Sequence, residues 1–384
     1  MLSRFPYPLE KGDKLRAFHQ IKELSKTYAI TLLATTDCPV KKESIEMLRK
    51  YCSTIYIFRL NKISIAFNVF LQFITNRPFQ TGYFYSSRNN ARIAKILQDL
   101  KPDHIFCQLI RVTEFVKNYH ECPKTLDYMD ALSKGIDRRV EKASFLTKWF
   151  FRSEFKRLNV YERQIFDYFE HHVIISEQDR EFIFHPRKKE IVCIPNGVDS
   201  SFFENIDIEK DAELLFVGNM SYAPNIEAVH YISEQIMPLL NTTTKKYKLL
   251  ISGAKPVSSV IKLAEENQSI EITGWVDDIR TSYARGKIFV APMMIGTGMQ
   301  NKLIEAMAMG IPCITTTLAN NAIKGINNES IIVANTKEEF VEAIQKLLKD
   351  DLFYKQIAEA GKKLVFENFN WVNTTARLVE LFES

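Results

Sequence analysis

The residues best suited to chemistry lie in one glycine loop and in the helix predicted to follow it. Gly296 and Gly298 leave the loop open for close approach of its backbone, and residues 300–309 are nearly all strong helix formers. The first N–H groups of such a helix have no internal partner and its dipole is positive there, so this end can hold a diphosphate. Lys302 adds a full positive charge, and Glu305, three residues later, can accept two hydrogen bonds from a vicinal diol. Phosphate beside a ribose diol is the arrangement of a bound nucleotide.

Two other interpretations of this loop have to be weighed. A glycine turn between a buried strand and a helix is common in doubly wound folds, where Lys302 and Glu305 would form a solvated ion pair. A dinucleotide-binding fingerprint is disfavoured, because Asn301 stands where its third glycine should be and the loop lies deep in the chain.

Short apolar stretches of strand length alternate with helical periods along the whole chain. We predict strands at 29–36, 54–60, 104–110, 124–129, 171–176, 213–219, 247–253, 269–275, 287–293 and 311–317. This alternation predicts an α/β protein with two doubly wound parallel sheets. The changeover falls at 191–203, where Pro195, Asn196 and Gly197 form a turn.

Length and composition indicate a two-domain enzyme of the cytosol. A chain of 384 residues with 46% apolar residues can fill two cores. The six cysteines are scattered without a C-x-x-C pair, which favours reduced thiols over a zinc site or a disulfide framework. No apolar stretch approaches the roughly 18 residues of a membrane span, and no signal peptide is recognisable. We therefore expect a cytoplasmic protein.

The net charge of +5 hides an asymmetry. Residues 1–200 carry 33 basic against 23 acidic side chains, a net charge of +10, while residues 201–384 carry 18 against 23, a net charge of −5. A basic first half predicts an anionic partner, either nucleic acid or a phospholipid surface. An unevenly charged but merely solvated surface is the alternative.

The chain opens unusually for a doubly wound domain. Its first apolar residues reach a Pro and Gly loop after only five residues, so either the first strand is very short or the start of the chain is clipped. Gly12 and Asp13 then open a second helix after a glycine loop, with Lys14 and Arg16 nearby. If two domains face each other, both glycine-loop helices point into one cleft. His19 in this helix is interpreted as an ordinary half-buried residue.

Two segments of the first half suggest contact with a membrane. Residues 61–79 are aromatic and aliphatic, and residues 134–158 interleave basic residues with aromatic ones. A basic amphipathic helix containing Trp is typical of a membrane surface, and the alternative is a core helix with a wet basic face. The predicted contact residues are Arg138, Arg139, Lys142, Lys148, Trp149 and Arg152, supported by Phe150. No nucleic-acid recognition module is present.

Several strings together resemble a known family. The strings IPNGVDSSFF, LLFVGNM, ITGWVDDI and GTGMQNKLIEAMAMGIPCITT resemble, in this order and spacing, the nucleotide-sugar half of family 4 glycosyltransferases of the GT-B fold. The strings PYPLEKGDKLRAFH and LDYMDALSKGIDRR resemble the bacterial sugar transferases of exopolysaccharide gene clusters. The C-terminal FNWVNTTARLVELF resembles the helix that crosses back onto the N-terminal domain in this fold.

This resemblance implies a fold and an activity. The fold would consist of two Rossmann-like domains facing a central cleft, an acceptor domain at 1–190 with the crossover helix 369–384 and a donor domain at 195–368. The activity would be metal-independent transfer of a hexose from a nucleotide sugar, with retained anomeric configuration, to a glycan or lipid-linked acceptor of a cell-surface polysaccharide. The protein would be cytoplasmic and peripheral on the inner face of the cell membrane. A nucleotide-sugar epimerase and an inactive GT-B subunit stay as alternatives.

The resemblance assigns donor-side roles unevenly. Glu305 fits the glutamate that holds the donor ribose, but Thr297 stands where the family has its first glutamate, eight residues earlier. Gly218 fits the glycine after the first strand of the donor domain, and Asn219 replaces the arginine that should follow. Lys302 is the nearest replacement for the missing cations that neutralise the diphosphate.

The resemblance also points to residues of the first half. Gly12 fits the glycine loop that faces the donor, and Asp130 lies near the position of a polar catalytic residue. Asp127 is the second candidate for that role, and a helix-capping role for Asp130 is the alternative. The predicted catalytic residues are Lys302, Glu305 and Asp130. The predicted donor-binding residues are Gly12, Asp13, Gly218, Asn219, Gly296, Thr297, Gly298, Asn301, Lys302 and Glu305.

Overall fold

The chain divides into two units, each built on a parallel sheet. The computed structural model describes residues 1–241, 246–295 and 299–384, apart from the side chains of Lys142 and Leu146. Unit 1 comprises residues 1–195 and 374–384, and unit 2 comprises residues 196–373. Within the described ranges no helix is both long and apolar enough to cross a membrane.

Unit 1 alternates strands and helices. Its strands are β1 Thr31–Thr36, β2 Thr54–Arg59, β3 Ile105–Gln108, β4 Lys124–Asp127, β5 His171–Ile174 and β6 Val192–Cys193. Its helices are α1 Gly12–Leu24, α2 Lys42–Arg49, α3 Lys62–Thr75, α4 Phe79–Phe84, α5 Ser87–Leu100, α6 Leu132–Lys142, α7 Phe145–Phe166 and α8 Glu177–Glu181, with 3₁₀ turns at Ile110–Phe115 and Lys188–Glu190.

A single residue joins the two parts of the unit 1 sheet. Strands β1 and β2 pair in parallel, and β3 to β6 form a second parallel ladder. Leu2 bridges both parts, because it pairs in parallel with Ala34 of β1 and with Gln108 of β3. In the structure this segment forms a single bridge position on each side. The strand order reverses at Leu2, so the ends of this segment and of β3 form the switch point where open α/β sheets bind ligands.

The far end of the chain completes the core of unit 1. Leu378 of the last helix is fully buried in a cluster with Leu24, Val173 and Ile194. Phe382 adds aromatic contact, with its ring centroid 4.3 Å from that of His104. The helix containing Leu378 therefore belongs to the packing of the first unit, although it follows the second.

Unit 2 is a six-stranded parallel sheet covered by helices. Its strands are β7 Ala212–Val217, β8 Leu249–Ser252, β9 Ile270–Gly274, β10 Gly286–Ala291, β11 Cys313–Thr315 and β12 Ile332–Val333. The helices that begin in it are α9 Ala223–Tyr231, α10 Met237–Leu240, α11 Ser258–Glu266, α12 Ile279–Arg285, α13 Asn301–Ala308, α14 Thr317–Ile323, α15 Lys337–Lys349, α16 Asp351–Asn368 and α17 Trp371–Phe382, with a 3₁₀ turn at Ser200–Phe203 and a π-helical turn at Ile232–Ile236.

The strand order of unit 2 also contains a switch point. The order is β12-β11-β10-β7-β8-β9, so the chain builds outward from β7 on one side and from β10 on the other. Ligands of such sheets bind beyond the carboxyl ends of the strands at this reversal. Helix α13, which follows β10, begins there and ends at Ala308; two residues later Gly310, with a φ of +69°, occupies the C′ position that favours glycine.

The predicted α/β class with two doubly wound parallel sheets is confirmed by this topology. The predicted strands appear with boundaries shortened by one or two residues at most ends, while β7 and β10 begin one residue earlier than predicted. One helix was not clear from the sequence: α12, after β9, is only seven residues long.

Candidate active site

Lys302 stands in the first turn of α13, directly beyond the switch point of unit 2. It is half-buried, and its amine donates a hydrogen bond to the side-chain oxygen of Asn225. The amine also lies 4.9 Å from the ring centroid of Phe216 and 3.8 Å from the sulfur of Met293. The side chain of Gln300 at the N-cap forms no cap hydrogen bond to the first turn of α13.

Asn225 holds the lysine in this position. Its side chain is buried, and while its oxygen accepts from Lys302, its amide nitrogen donates to the carbonyl of Asn219 at 2.9 Å. Gly218 makes room for it, because a Cβ atom there would lie 2.6 Å from the amide nitrogen of Asn225. One asparagine thus links the loop after β7 to the start of α13.

Glu305 faces the same end of the sheet and is fixed by a tyrosine. The hydroxyl of Tyr283 donates to Oε2 of Glu305 at 2.8 Å and lies 3.2 Å from the carbonyl oxygen of Lys302. Tyr283 is fully buried on α12. Each carboxylate oxygen can accept a further hydrogen bond, so this contact orients Glu305 without blocking a diol.

Burial pushes both ionisable groups of α13 toward neutrality. Desolvation lowers the pKa of Lys302 to about 7, and the charge of Glu305 opposes the shift only in part. Desolvation likewise raises the pKa of Glu305, against the hydrogen bond from Tyr283 and the charge of Lys302. A doubly charged anion beside the amine would restore its positive charge.

The other predicted donor-side residues have mixed positions. Asn301 accepts a hydrogen bond at 3.1 Å from the buried Asn196, which anchors the first residue of α13. Asn219 turns its own side-chain oxygen to the N–H and hydroxyl of Ser221, at 3.0 and 2.8 Å, so it supplies a turn and no cation. Gly296, Thr297 and Gly298 lie outside the described residues.

A second charged group surrounds the switch point of unit 1. Arg4 follows Leu2 and pairs with Asp13 of α1 at 2.5 Å. Arg111 follows β3, and its guanidinium lies 5.7 Å from the ring centroid of Phe84. Burial lowers the pKa of Arg111, with Arg4 acting in the same direction and Asp13 and Asp130 against it. The four charges are therefore close enough to influence one another.

Asp130 is the open member of this group. The residue is exposed to solvent. The surrounding protein nevertheless desolvates its carboxyl and raises the pKa of that group, while the positive charge of Arg111 acts to lower it. The residue before it, Met129, has a φ of +61°, and Leu109, two residues before Arg111, has a φ of +68°. Such strained backbone in non-glycine residues concentrates at functional sites.

Three sequence-based alternatives for unit 1 are settled by contacts. The N-cap of α6 is Ala131, so Asp130 does not cap that helix. Asp127 is fully buried and accepts from Arg16 at 2.6 Å, which makes it a structural ion pair inside the unit. His19 on α1 is buried, more deeply than the half-buried residue expected from the sequence, and Gly12 begins that helix with open space where a Cβ would stand.

The residues predicted to contact a membrane fall into two sets. The charge of Arg138 acts on Asp130 and that of Arg139 acts on Arg111, so both belong with the charged group of unit 1. Lys148, Trp149 and Arg152 lie on α7, where Trp149 is 66% exposed. The backbone of Lys142 ends α6, and its side chain is outside the description.

Sequence reasoning missed Arg4, Arg111, Asn225 and Tyr283. A weak signal existed for three of them, because Arg4, Arg111 and Asn225 each stand shortly after a predicted strand, where ligand-binding loops of α/β sheets occur. Tyr283 lies on a helix that the sequence did not make clear. Across the described ranges, no cluster of three His, Cys, Asp or Glu side chains is placed to hold a metal ion.

The geometry of unit 2 agrees with a comparison against known families. Residues 211–350 match the family model described as glycosyl transferases group 1. Over these residues unit 2 is similar to the group 1 glycosyltransferases. The match covers the sheet, the loop after β7 and all of α13, and it confirms the family resemblance predicted from the sequence.

Two relatives and one solved structure extend this glycosyltransferase likeness. A 44.6 kDa protein in the cps region of Klebsiella pneumoniae is 22% identical over 385 residues, 95% of this chain and 94% of that protein. The UDP-Gal:α-D-GlcNAc-diphosphoundecaprenol α-1,3-galactosyltransferase of Escherichia coli is 23% identical over 220 residues, 53% of this chain and 56% of that protein. HepE from Anabaena, solved with UDP and glucose, superposes with a TM-score of 0.70 at 13% identity, covering 100% of this chain and 98% of HepE. The likeness to HepE shows the GT-B fold.

Proposed function

We propose that this protein is a retaining, metal-independent glycosyltransferase that moves a hexose from a nucleotide sugar to a lipid-linked or glycan acceptor in cell-surface polysaccharide biosynthesis. The observation that carries the proposal is Lys302, held by Asn225 at the uncapped start of α13, three residues before Glu305, in a unit similar to the group 1 glycosyltransferases. The amine and the helix N-terminus suit a diphosphate, and Glu305 suits a ribose diol.

The proposed chemistry is stabilisation of the leaving group. When the bond between sugar and phosphate breaks, negative charge grows on the diphosphate and the sugar becomes oxocarbenium-like. Lys302 and the first N–H groups of α13 would interact more strongly with the diphosphate in the transition state than with the intact donor, and this difference lowers the barrier. A pKa near 7 in the empty site means that the lysine takes up a proton as the diphosphate arrives. Because these groups supply the positive charge, the proposal needs no metal ion.

Asp130 is proposed as the polar residue for the sugar or acceptor. It is a carboxylate with a raised pKa at the switch point of unit 1, beside the guanidinium of Arg111. In front-side attack the leaving phosphate itself takes the acceptor proton, so Asp130 would orient a hydroxyl rather than act as a nucleophile. The anomeric configuration is retained because the acceptor attacks the same face of the sugar from which the phosphate leaves.

The acceptor class is inferred from relatives. The name of the Escherichia coli relative states an acceptor carried on diphosphoundecaprenol and a UDP-Gal donor, and HepE was solved with UDP and with UDP-glucose. These names support a uridine nucleotide sugar and an acceptor on a lipid diphosphate. The location of the Klebsiella relative in a cps region supports a role in surface polysaccharide.

A donor screen followed by turnover tests the proposal. Calorimetry with UDP, GDP and ADP sugars should give one binding donor, and release of its nucleoside diphosphate should then require a GlcNAc-diphospholipid acceptor and survive EDTA. Conversion of the donor sugar without acceptor would indicate an epimerase, and binding without turnover would indicate an inactive subunit. NMR of the product should show the anomeric configuration of the donor, and an inverted product would refute the retaining mechanism.

A further inference from the structure

Helix α3 exposes a row of large apolar side chains, while its inner side mixes apolar and polar residues. Ile65 on the inner side packs against the core of unit 1. On the inner side Asn68 donates to the carbonyl of Tyr85 at 2.7 Å, and Gln72 is only 9% exposed. The residues on the opposite side, spaced four, three and four apart, are Ile63 (80% exposed), Phe67 (61%), Phe70 (62%) and Ile74 (73%). A surface helix of a protein in water normally carries charged or polar residues on its outer side.

Contacts fix this orientation. The backbone carbonyl of Gln72 accepts a hydrogen bond from the guanidinium of Arg157 on α7. Gly82 of α4 lies against the side chain of Gln72, since a Cβ atom at position 82 would be 2.6 Å from Cγ of Gln72. Turning α3 over would bury its phenylalanines at the cost of both contacts, so the outward apolar side is built into unit 1.

A row of packed aromatic rings, partly buried, connects α3 with the start of α7. The centroid of Phe73 lies 4.7 Å from that of Phe79, which stacks on Phe150 at 4.9 Å. Next to Phe150 along the start of α7 stand Trp149, 66% exposed, and Phe145, 93% exposed. We name the surface formed by Ile63, Phe67, Phe70, Ile74, Phe145 and Trp149 the apolar face.

The charges around the apolar face have one sign. Residues 60–81 contain Lys62 and Arg77 and no acidic residue, and residues 142–153 contain three basic residues and no acidic one. The next carboxylate along α7, Glu154, is buried and accepts from the backbone N–H groups of Phe79 and Gln80 at 2.8 and 3.1 Å. Arg77 is paired with Glu114 at 3.2 Å, so the positive charge of the rim rests on the other basic residues of these two segments, Lys62, Lys148 and Arg152 among them.

We propose that the apolar face docks unit 1 on the surface of an anionic phospholipid bilayer. The 14 residues of α3 span about 21 Å, too short to cross a hydrocarbon core of about 30 Å but suited to lie in the interface with the phenylalanines among the acyl chains. Exposed Lys62 and Arg152 would then meet the headgroups. A second copy of this chain fits less well, because pairing two such faces brings like charges together. The surface is independent of the proposed sugar transfer.

Vesicle flotation tests the docking. The full chain should bind vesicles of phosphatidylcholine with phosphatidylglycerol at least about tenfold more tightly than phosphatidylcholine alone, and high salt should remove the difference. Phe67→Ser with Phe70→Ser should weaken binding to the anionic vesicles at least about tenfold, because two aromatic side chains lose their burial in lipid. Both positions are exposed, so the melting temperature should not fall. The matched control, Leu352→Ser with Phe366→Ser on α16 of unit 2 (81% and 61% exposed), should bind as the unmodified chain does.

Several outcomes would overturn the docking. Equal binding to neutral and anionic vesicles would remove the role of the positive rim, and equal weakening by the control pair would show unspecific adhesion. Self-association in sedimentation velocity that the Phe67 and Phe70 changes abolish, without vesicle binding, would assign the apolar face to a second copy. The vesicles contain no sugar acceptor, so none of these results depends on whether the protein transfers sugar.

Discussion

Donor binding should depend on pH through Lys302 in a way that can be calculated. The pKa of its amine is about 7 in the empty protein, and only the ammonium form attracts a diphosphate strongly. Between about pH 6 and about pH 8 the ammonium fraction falls roughly tenfold, so the affinity for a nucleotide sugar should fall roughly tenfold, about 1.4 kcal/mol. A nucleotide sugar is the better probe, because its diphosphate carries no proton that titrates in this range.

Substitutions of Lys302 separate this effect from others. Lys302→Met removes a hydrogen bond to a charged group, so at about pH 6 it should weaken donor binding by about 1.5 to 3 kcal/mol. At about pH 8, where the unmodified lysine is mostly neutral, the same change should cost less, and the two affinity curves should converge. Lys302→Arg stays charged, so its affinity should be flat with pH.

Calorimetry in two buffers of different ionisation enthalpy measures both affinity and proton uptake. Lys262→Met, which removes an exposed lysine of α11, is the control and should follow the unmodified protein. The folded-state pKa of Lys302 lies below its ordinary value, so folding releases a proton and stability rises with pH between about 7 and about 10. Lys302→Met should therefore not lower the melting temperature of the empty protein. If the donor affinity of Lys302→Met fell with pH as steeply as that of the unmodified protein, Lys302 would not be the titrating group.

Three further predictions concern the neighbours of this lysine and unit 1. Asn225→Asp places a carboxylate beside the amine of Lys302, so the pH midpoint of donor binding should rise, and an unchanged midpoint would show that the contact is not maintained in solution. Glu305→Gln should lose less activity than Glu305→Ala. If Glu305 binds the ribose diol, Glu305→Ala should cause little further loss of activity when the donor already lacks its 2′ and 3′ hydroxyls. If the loss from the mutation and the loss from the 2′,3′-dideoxy donor instead add up in kinetic assays, Glu305 does not contact the ribose. Asp130→Asn should lower turnover about 10²-fold or more while donor affinity by calorimetry stays within about twofold, and an equal loss in both would assign Asp130 to donor binding.

The elements that carry the site were predictable because their signals are local. Helix α13 has strong helix formers, a glycine at its C′ position and proline two residues later, and these act within one turn of the chain. The strands were predictable for the same reason, since buried parallel strands are continuous apolar stretches.

The partners of the site residues were not predictable, because they come from distant parts of the chain. Lys302 donates its hydrogen bond to a residue 77 positions away, and Arg16 donates to Asp127 across 111 positions. The pKa of Lys302 depends on burial, which no motif encodes. The outward apolar side of α3 could be predicted only as one of two alternatives, because a mostly apolar segment fits a core helix as well as a membrane surface unless one knows which side packs.

The position of Leu378 in the core of the first unit has a consequence for synthesis. The ribosome synthesises residues 1–195 long before residues 374–384. Leu24, Val173 and Ile194 therefore lack their packing contact with Leu378 while unit 2 is being synthesised. At roughly 5 to 20 residues per second that wait lasts on the order of 10 to 40 seconds. Unit 2 is continuous in the chain and has all of its residues first. The nascent protein is therefore expected to finish its second half before its first, with the incomplete basic half exposed to chaperones in the meantime.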